Sequence, residues 1–266
     1  MFDATSYLKH LGYTGTLKPT VDNLTELHKR QMMTVPFDNS RSAAKGLAIW
    51  DDVDASPDYF YDMLIAGRRG GVCHELSGLF RALLVELGYD MTVISSGVRG
   101  ADDSFGPDLE HMLTLVRVDG AEWLADVGFA GPSFTEPVRV SPDVQRQNGF
   151  GYQVVEDGPY LILRRRGQQT DWQAVYRFTR QQRELAEWKA IVSGENTDPY
   201  WHWAGEMIRA GTLIYGRACD AGQLLLVGRR YLKAEDGRDQ TRVLAKTADY
   251  ESVIRHVLLG EVSEVA

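Results

Sequence analysis

The hydrophobic pattern of the chain changes from a helical spacing to an alternating one just after residue 88. Between Cys73 and Gly88, leucine and phenylalanine recur at intervals of three and four residues, which is the stripe of a helix facing a core. From residue 91 apolar and polar residues alternate and β-branched residues become common, which is typical of strands. The pattern therefore predicts helices first and a sheet afterwards.

The same reading extends along the whole chain. Helices are predicted at 20–34 and 58–66 and from Cys73 to Gly88, and strands at 91–98, 111–118, 121–127, 152–155, 160–164 and 172–178. The last part is predicted to hold a helix at 180–192, strands at 213–217 and 223–227, and a helix at 249–259. Because no linker or internal repeat separates these parts, we expect three regions, 1–88, 89–190 and 191–266, packed as one unit.

Composition excludes several classes of function. The 266 residues are 44% hydrophobic and carry a formal charge of −8, so the chain can bury a large core and repels nucleic acid. No segment has the apolar length of a signal peptide or a membrane span, so we expect a cytoplasmic protein without a membrane partner. The run Arg164-Arg165-Arg166 is expected to be a solvated turn between strands, with a grip on an anionic cofactor as the alternative.

Only two cysteines are present, and Cys73 has the setting of a nucleophile. Two isolated cysteines make neither a disulfide scaffold nor a thiolate zinc site. Cys73 falls in the first turn of its predicted helix, where unpaired N–H groups and a partial positive charge favour a thiolate. Gly70 and Gly71 allow the preceding backbone to turn sharply and to approach a substrate.

A predicted hairpin supplies a base. Asp119-Gly120 is a strong signal for a two-residue type I′ turn, which places Val118 opposite Ala121. In that register His111 and Asp126 are diagonal neighbours on one face, with about 7 to 8 Å between their backbones across the hairpin. An aspartate bonded to one imidazole nitrogen leaves the other free to deprotonate a thiol. We therefore predict a catalytic triad of Cys73, His111 and Asp126.

Each of these residues taken singly is more often structural, since lone cysteines and histidines commonly occupy cores. Their combination favours catalysis. The other cysteine and histidines have no predicted catalytic partners and are expected to be structural: Cys219, His10, His28, His74, His202 and His256.

The motifs resemble those of arylamine N-acetyltransferases. Residues 69–76 read Arg-Gly-Gly-Val-Cys-His-Glu-Leu and resemble that family's Arg-Gly-Gly-x-Cys-x-Glu signature. The sequences at 111–113, at 126–129 and at 35–39 resemble its histidine, aspartate and Pro-Phe-Glu-Asn elements. The resemblance runs to about residue 178 and implies an α+β fold with an N-terminal helical bundle, a central antiparallel β-barrel and a C-terminal α/β lid.

The resemblance also implies a chemistry. The enzyme would work by a ping-pong cycle through an acyl-cysteine, with no metal and no tightly bound cofactor. The donor would be an acyl thioester, of coenzyme A or of the phosphopantetheine of a carrier protein, and the acceptor an aromatic amine. The residues expected to contact substrate are Phe37, Val72, Gly128 and Phe129.

Departures from the family pattern indicate a branch. His74 and Ser77 stand where an aromatic residue and an asparagine are common, and Glu110 precedes His111. Together with the stretches 105–110 and 196–203, these features resemble the amide synthases that close a macrolactam on a polyketide chain, which a polyketide synthase carrier protein would deliver. We expect Tyr200, Trp201 and Trp203 to rim a wide lid over such a chain.

Three alternatives remain open at this point. The first is an ordinary acetyl-coenzyme A-dependent arylamine N-acetyltransferase. The second is a cysteine hydrolase or transglutaminase-like enzyme, in which Cys, His and Asp occur in the same order. The third is a binding protein with an inert triad.

Overall fold

The N-terminal part of the computed structural model is helical. The structure describes residues 1–193, 199–201, 211–261 and 263. Thr20 and Ser56 cap the second and third helices, each accepting a hydrogen bond from the backbone N–H three residues on. The helices are α1 (Ala4–His10), α2 (Val21–Thr34), α3 (Pro57–Tyr61), which continues into a π-helical turn (Asp62–Ala66), and α4 (Cys73–Glu86), with a 3₁₀ helix at Gly46–Trp50.

Helix α4 is the centre of this part. Its predicted apolar stripe is buried at Leu76, Leu79, Phe80, Leu83 and Leu84 and partly buried at Leu87. The stripe packs against α2 and against the face of the sheet that follows. Because its first turn is held by this core, the position of Cys73 is fixed by packing along the whole helix.

The middle of the chain forms an eight-stranded antiparallel sheet. Its strands are β2 (Asp90–Val98), β3 (His111–Val118), β4 (Ala121–Ala125), β5 (Val138–Arg139), β6 (Gln145–Gln147), β7 (Phe150–Asp157), β8 (Tyr160–Arg166) and β9 (Gln173–Phe178). They lie in the order β5-β4-β3-β2-β9-β8-β7-β6. The N–H of Val154 donates to the carbonyl of Ser141 across the gap between the two ends, so the sheet is a nearly closed barrel.

A second antiparallel sheet contains one strand from the N-terminal part of the chain and four from its last part. It consists of β1 (Phe37–Asp38), β10 (Ile214–Cys219), β11 (Gly222–Val227), β12 (Arg230–Glu235) and β13 (Arg238–Val243), in that order. The longer helices that the structure describes in this part are α5 (Leu185–Val192) and α6 (Thr247–Leu259), and residues 199–201 are also helical. Buried residues of α6, Val253 and Val257, pack on the sheet. Among the helices described, none has the length and apolar character needed to cross a bilayer.

The α+β fold with a helical part and an antiparallel barrel is confirmed. Two expectations are wrong in detail. The helix predicted at 180–192 begins only at Leu185, where Glu184 and Glu187 cap it. The arginine run is not a turn, because it lies within β8 and Arg165 is only 7% exposed. In addition, helix α1 and strands β1, β5, β6, β12 and β13 were not predicted.

Candidate active site

Cys73 is the first residue of α4, as predicted. The backbone before it is extended, and the N–H of Val72 donates to Glu75 Oε2 at 2.9 Å, which closes the helix start. Arg41 holds the other oxygen of the same carboxylate at 3.3 Å. The first turn that carries the thiol is therefore fixed from two sides.

Gly128 packs directly on the nucleophile. A Cβ placed at this position would lie 2.8 Å from the Cα and from the carbonyl oxygen of Cys73, closer than real Cβ atoms approach. Only glycine lets the loop after β4 come this near to α4. The contact brings the aspartate loop and the cysteine helix together.

The predicted hairpin places the base. Asp119 and Gly120 both have positive φ, 52° and 73°, as a type I′ turn requires. Val118 lies opposite Ala121 and Thr114 opposite Ala125, so the predicted register is confirmed.

The side chains of His111 and Asp126 meet as that register predicts. His111 Nε2 and Asp126 Oδ2 are 2.9 Å apart, and the two residues are 5% and 1% exposed. The backbone N–H of Gly128 donates to the other carboxylate oxygen at 3.3 Å. The carboxylate is therefore fixed, and it orients the imidazole.

His28 supports this arrangement from behind, a role that the sequence did not reveal. Its Nε2 accepts a hydrogen bond from the backbone N–H of Asp126 at 3.0 Å, and its Nδ1 lies 2.9 Å from the carbonyl of Thr135. Both bonds together require a neutral ring with the proton on Nδ1. Burial lowers the pKa of His28 to about 4, which agrees with that tautomer.

The electrostatics favour a thiolate. Burial alone would raise the pKa of the Cys73 thiol, but hydrogen bonding to His111 and His74 and the charges of both rings bring it down to about 7. Burial likewise opposes protonation of His111, whereas the charge and hydrogen bond of Asp126 raise its pKa to about 10. At neutral pH these shifts favour a thiolate beside an imidazolium.

Cys73 and His111 open into a cavity of about 560 Å³. Its wall includes three of the predicted substrate contacts, which are Phe37, Gly128 and Phe129. Val72 is buried and is not among the residues that line the cavity. The polar part of the wall comprises Arg99, Glu110, Gln173, Arg165 and Asp239.

Arg165 and Asp239 form a bidentate ion pair with both N···O distances at 2.7 Å. The pair joins β8 of the barrel to β13 of the second sheet, and it borders another cavity of about 490 Å³. The two cavities therefore share a wall formed by this pair and Gln173.

The aromatic lid is only partly as expected. Trp201 is buried in a cluster with Trp50 and Trp188 and does not line the cavity, so it is a core residue. Tyr200 donates a hydrogen bond to Glu110, which does line the cavity. Trp203, His202 and residues 196–198 lie outside the described residues.

Among the residues that the structure describes, one set of groups has the chemistry of a cation site. Ligand atoms of Asp52, His74 and Glu75 lie within 4.8 Å of one another. Each is already engaged, since Asp52 bonds His74 at 2.9 Å and Glu75 accepts from Val72 and Arg41. We therefore assign these groups to hydrogen bonding.

Comparison with known proteins gives a consistent picture. A family model described as N-acetyltransferase matches residues 20–263. Proansamycin X synthase of Amycolatopsis mediterranei is 36% identical over 98% of each chain. An arylamine N-acetyltransferase of Escherichia coli is 28% identical, covering 87% of this chain and 79% of its own. The structure of an arylamine N-acetyltransferase from Mycobacterium tuberculosis matches with a TM-score of 0.78 at 27% identity, over 100% of this chain and 96% of that one.

Proposed function

The chain belongs to the arylamine N-acetyltransferase family and is an acyltransferase, and we propose that it moves an acyl group from a thioester to an aromatic amine through an acyl-enzyme on Cys73. The observation that carries this proposal is the hydrogen-bonded His111–Asp126 pair beside a half-buried thiol of lowered pKa, both of them opening into one cavity. This is the arrangement of nucleophile, base and orienting carboxylate used in covalent acyl transfer.

In the first half-reaction the Cys73 thiolate attacks the thioester carbonyl carbon. A new carbon–sulfur bond forms, the donor's carbon–sulfur bond breaks, and the donor thiol leaves with the proton carried by His111. The unpaired N–H groups in the first turn of α4 are available to stabilise the negative charge that develops on the carbonyl oxygen. The product of this step is a thioester on Cys73.

In the second half-reaction the amine attacks that thioester. His111, now neutral, takes the proton from the amine nitrogen as the amide forms, and the Cys73 thiolate leaves. Asp126 holds the ring in one orientation and supports its positive charge at both stages. The cycle ends with the thiolate and imidazolium with which it began.

We propose further that the acyl group is a polyketide chain and that the amine is at the chain's own other end, so that transfer closes a macrolactam. The relative named proansamycin X synthase matches almost the whole length of both chains, which supports this branch. The two adjoining cavities, of about 560 and 490 Å³, also exceed what an acetyl group needs. In this proposal the donor is the phosphopantetheine thioester of a carrier protein.

The second candidate is transfer of acetyl from coenzyme A to a free arylamine. It is supported by the E. coli arylamine N-acetyltransferase, which aligns with less of the chain and at lower identity. Family membership favours both acyl-transfer candidates over the cysteine hydrolase and the inert binding protein.

Intact-mass spectrometry with two donors tests the proposal. The protein is mixed with acetyl-coenzyme A in one arm and with an N-acetylcysteamine thioester of a long polyketide-like acid that carries a terminal aminophenyl group in the other. We expect the long donor to add its acyl mass to Cys73 or to be released as a cyclic amide. Faster and more complete acetylation with turnover of small anilines would favour the second candidate. An acyl mass on Cys73→Ala would overturn the assignment of the nucleophile.

A further inference from the structure

The thiol of Cys73 lies beside a second histidine–aspartate pair. His74 Nε2 and Asp52 Oδ1 are 2.9 Å apart, the same separation as in the pair formed by His111 and Asp126. His74 is 1% exposed, and both histidines interact electrostatically with the sulfur. The proposed reaction described above uses only the first pair.

The ring of His74 packs against two aromatic side chains. Its ring lies 5.2 Å from that of Trp50 and 6.5 Å from that of Phe60. Among the described residues, its Nδ1 has no hydrogen-bond partner of ordinary geometry, and the Cys73 thiol also interacts with the ring. An imidazole buried in apolar surroundings loses its proton unless a carboxylate compensates, and Asp52 is that carboxylate.

The charges around the pair favour a protonated ring. Burial lowers the pKa of His74, but the hydrogen bond to Asp52 and the neighbouring Cys73 raise it to about 9. Glu75 acts in the same direction, and Arg41 is paired with that carboxylate. Tyr59, Lys45 and Asp54 also face Asp52, and Tyr59 lies near Glu75 and Arg41 as well.

We propose that Asp52 and His74 form a second carboxylate–imidazolium pair that stabilises the Cys73 thiolate. It would act in the free enzyme and again when the sulfur leaves as the amide forms. A thiolate of lower basicity is a better leaving group, so the acyl-cysteine is more reactive toward an aromatic amine, which is a weak nucleophile. This inference rests on the proposed role of Cys73 as nucleophile.

The test measures the pH dependence of Cys73 alkylation by iodoacetamide, with peptide mapping to count Cys219 separately. In His74→Phe we expect the inflection to move up by about one pH unit, so alkylation at pH 6.5 slows by about 10-fold. The rate at high pH should remain at least that of the wild type. A purely structural role for His74 would leave the inflection where it is.

Two further variants keep the inference falsifiable. Asp52→Asn preserves the size of the side chain and should shift the inflection in the same direction, which covers a failure of His74→Phe to fold. Tyr59→Phe removes the other hydrogen bond to Asp52, of 3.1 Å, and should leave the profile unchanged. A folded His74→Phe or Asp52→Asn protein with the wild-type profile would overturn the inference. Failure of the proposed function would give a different result, because the wild-type protein would then gain no acyl mass from any thioester.

Discussion

The backbone N–H of Asp126 donates to His28 Nε2 at 3.0 Å, so a neutral imidazole supports the carboxylate that orients His111. His28 is a fully buried residue of α2, and its ring lies against the loop after β4. The geometry allows no second proton on this ring, because Nε2 must stay an acceptor.

Stability should therefore fall in mild acid because of His28. Its pKa is about 4 in the folded protein and about 6.5 unfolded, so the unfolded chain binds more protons between these values. Stability from this group is present above pH 6.5 and is lost as the pH falls toward 4, by on the order of 3 kcal/mol. His74 and His111, whose pKa values are raised, do not change their contribution within this window.

Urea unfolding at pH values from 7 to 4 measures this effect. In His28→Asn the difference in unfolding free energy between pH 6.5 and 4 should shrink by that amount, although the variant is less stable at pH 7. Equal pH slopes for wild type and variant would show that His28 is not the group responsible.

Replacing Asp126 by Asn should abolish most of the acylation rate while preserving the fold. The amide cannot stabilise the imidazolium and can hold the ring in the wrong tautomer, which in comparable triads costs about 10³ to 10⁴ in rate. Burst-phase acylation of Cys73, followed by stopped-flow release of the donor thiol, measures the loss. Circular dichroism checks the fold, and a loss of less than 10-fold would contradict the assigned role of Asp126.

Gly128→Ala should disrupt the site through backbone contact alone. The added methyl group would press on the Cα and the carbonyl of Cys73 at 2.8 Å, and neither can move without shifting α4. We expect about 1 to 3 kcal/mol of destabilisation and a large loss of acylation. Gly151→Ala is the matched control, because a Cβ there meets only side chains, at 3.3 Å or more. The melting temperature and the rate of Cys73 acylation, measured for both variants, test this prediction.

Removing Asp239 should destabilise the protein more than removing both members of its pair. Asp239→Ala leaves the Arg165 guanidinium, 7% exposed, without its carboxylate, whereas Arg165→Met with Asp239→Ala leaves no buried charge. Because Asp239 is partly exposed, we expect about 2 kcal/mol for the single change. A double-mutant cycle in urea measures it, and additive effects of the two changes would contradict the coupling.

The sequence predicted the parts of the site that depend on local rules. The start of α4, the Asp119-Gly120 turn and the meeting of His111 with Asp126 all follow from spacing within a helix or a hairpin. The catalytic roles of these residues stay predictions until acylation is measured.

The sequence could not predict contacts between distant segments. Asp52 and His74 lie 22 residues apart, and Arg165 and Asp239 lie 74 apart, so only the tertiary fold pairs them. The strand β13 was missed because all of its residues are exposed and it shows no hydrophobic alternation. The division at residues 88 and 190 also stays a prediction, and β1 already pairs with β10 across it.

That short pairing ties the nucleophile to the far end of the chain. The N–H of Asp38 donates to the carbonyl of Gly71, the N–H of Gly71 donates to the carbonyl of Pro36, and β1 in turn bonds β10. Gly71, two residues before the reactive sulfur, is thus hydrogen-bonded to the edge strand of the final sheet. A chain that ended before residue 211 would lose β10, which is the other partner of β1. The C-terminal sheet therefore supports the loop that carries the nucleophile.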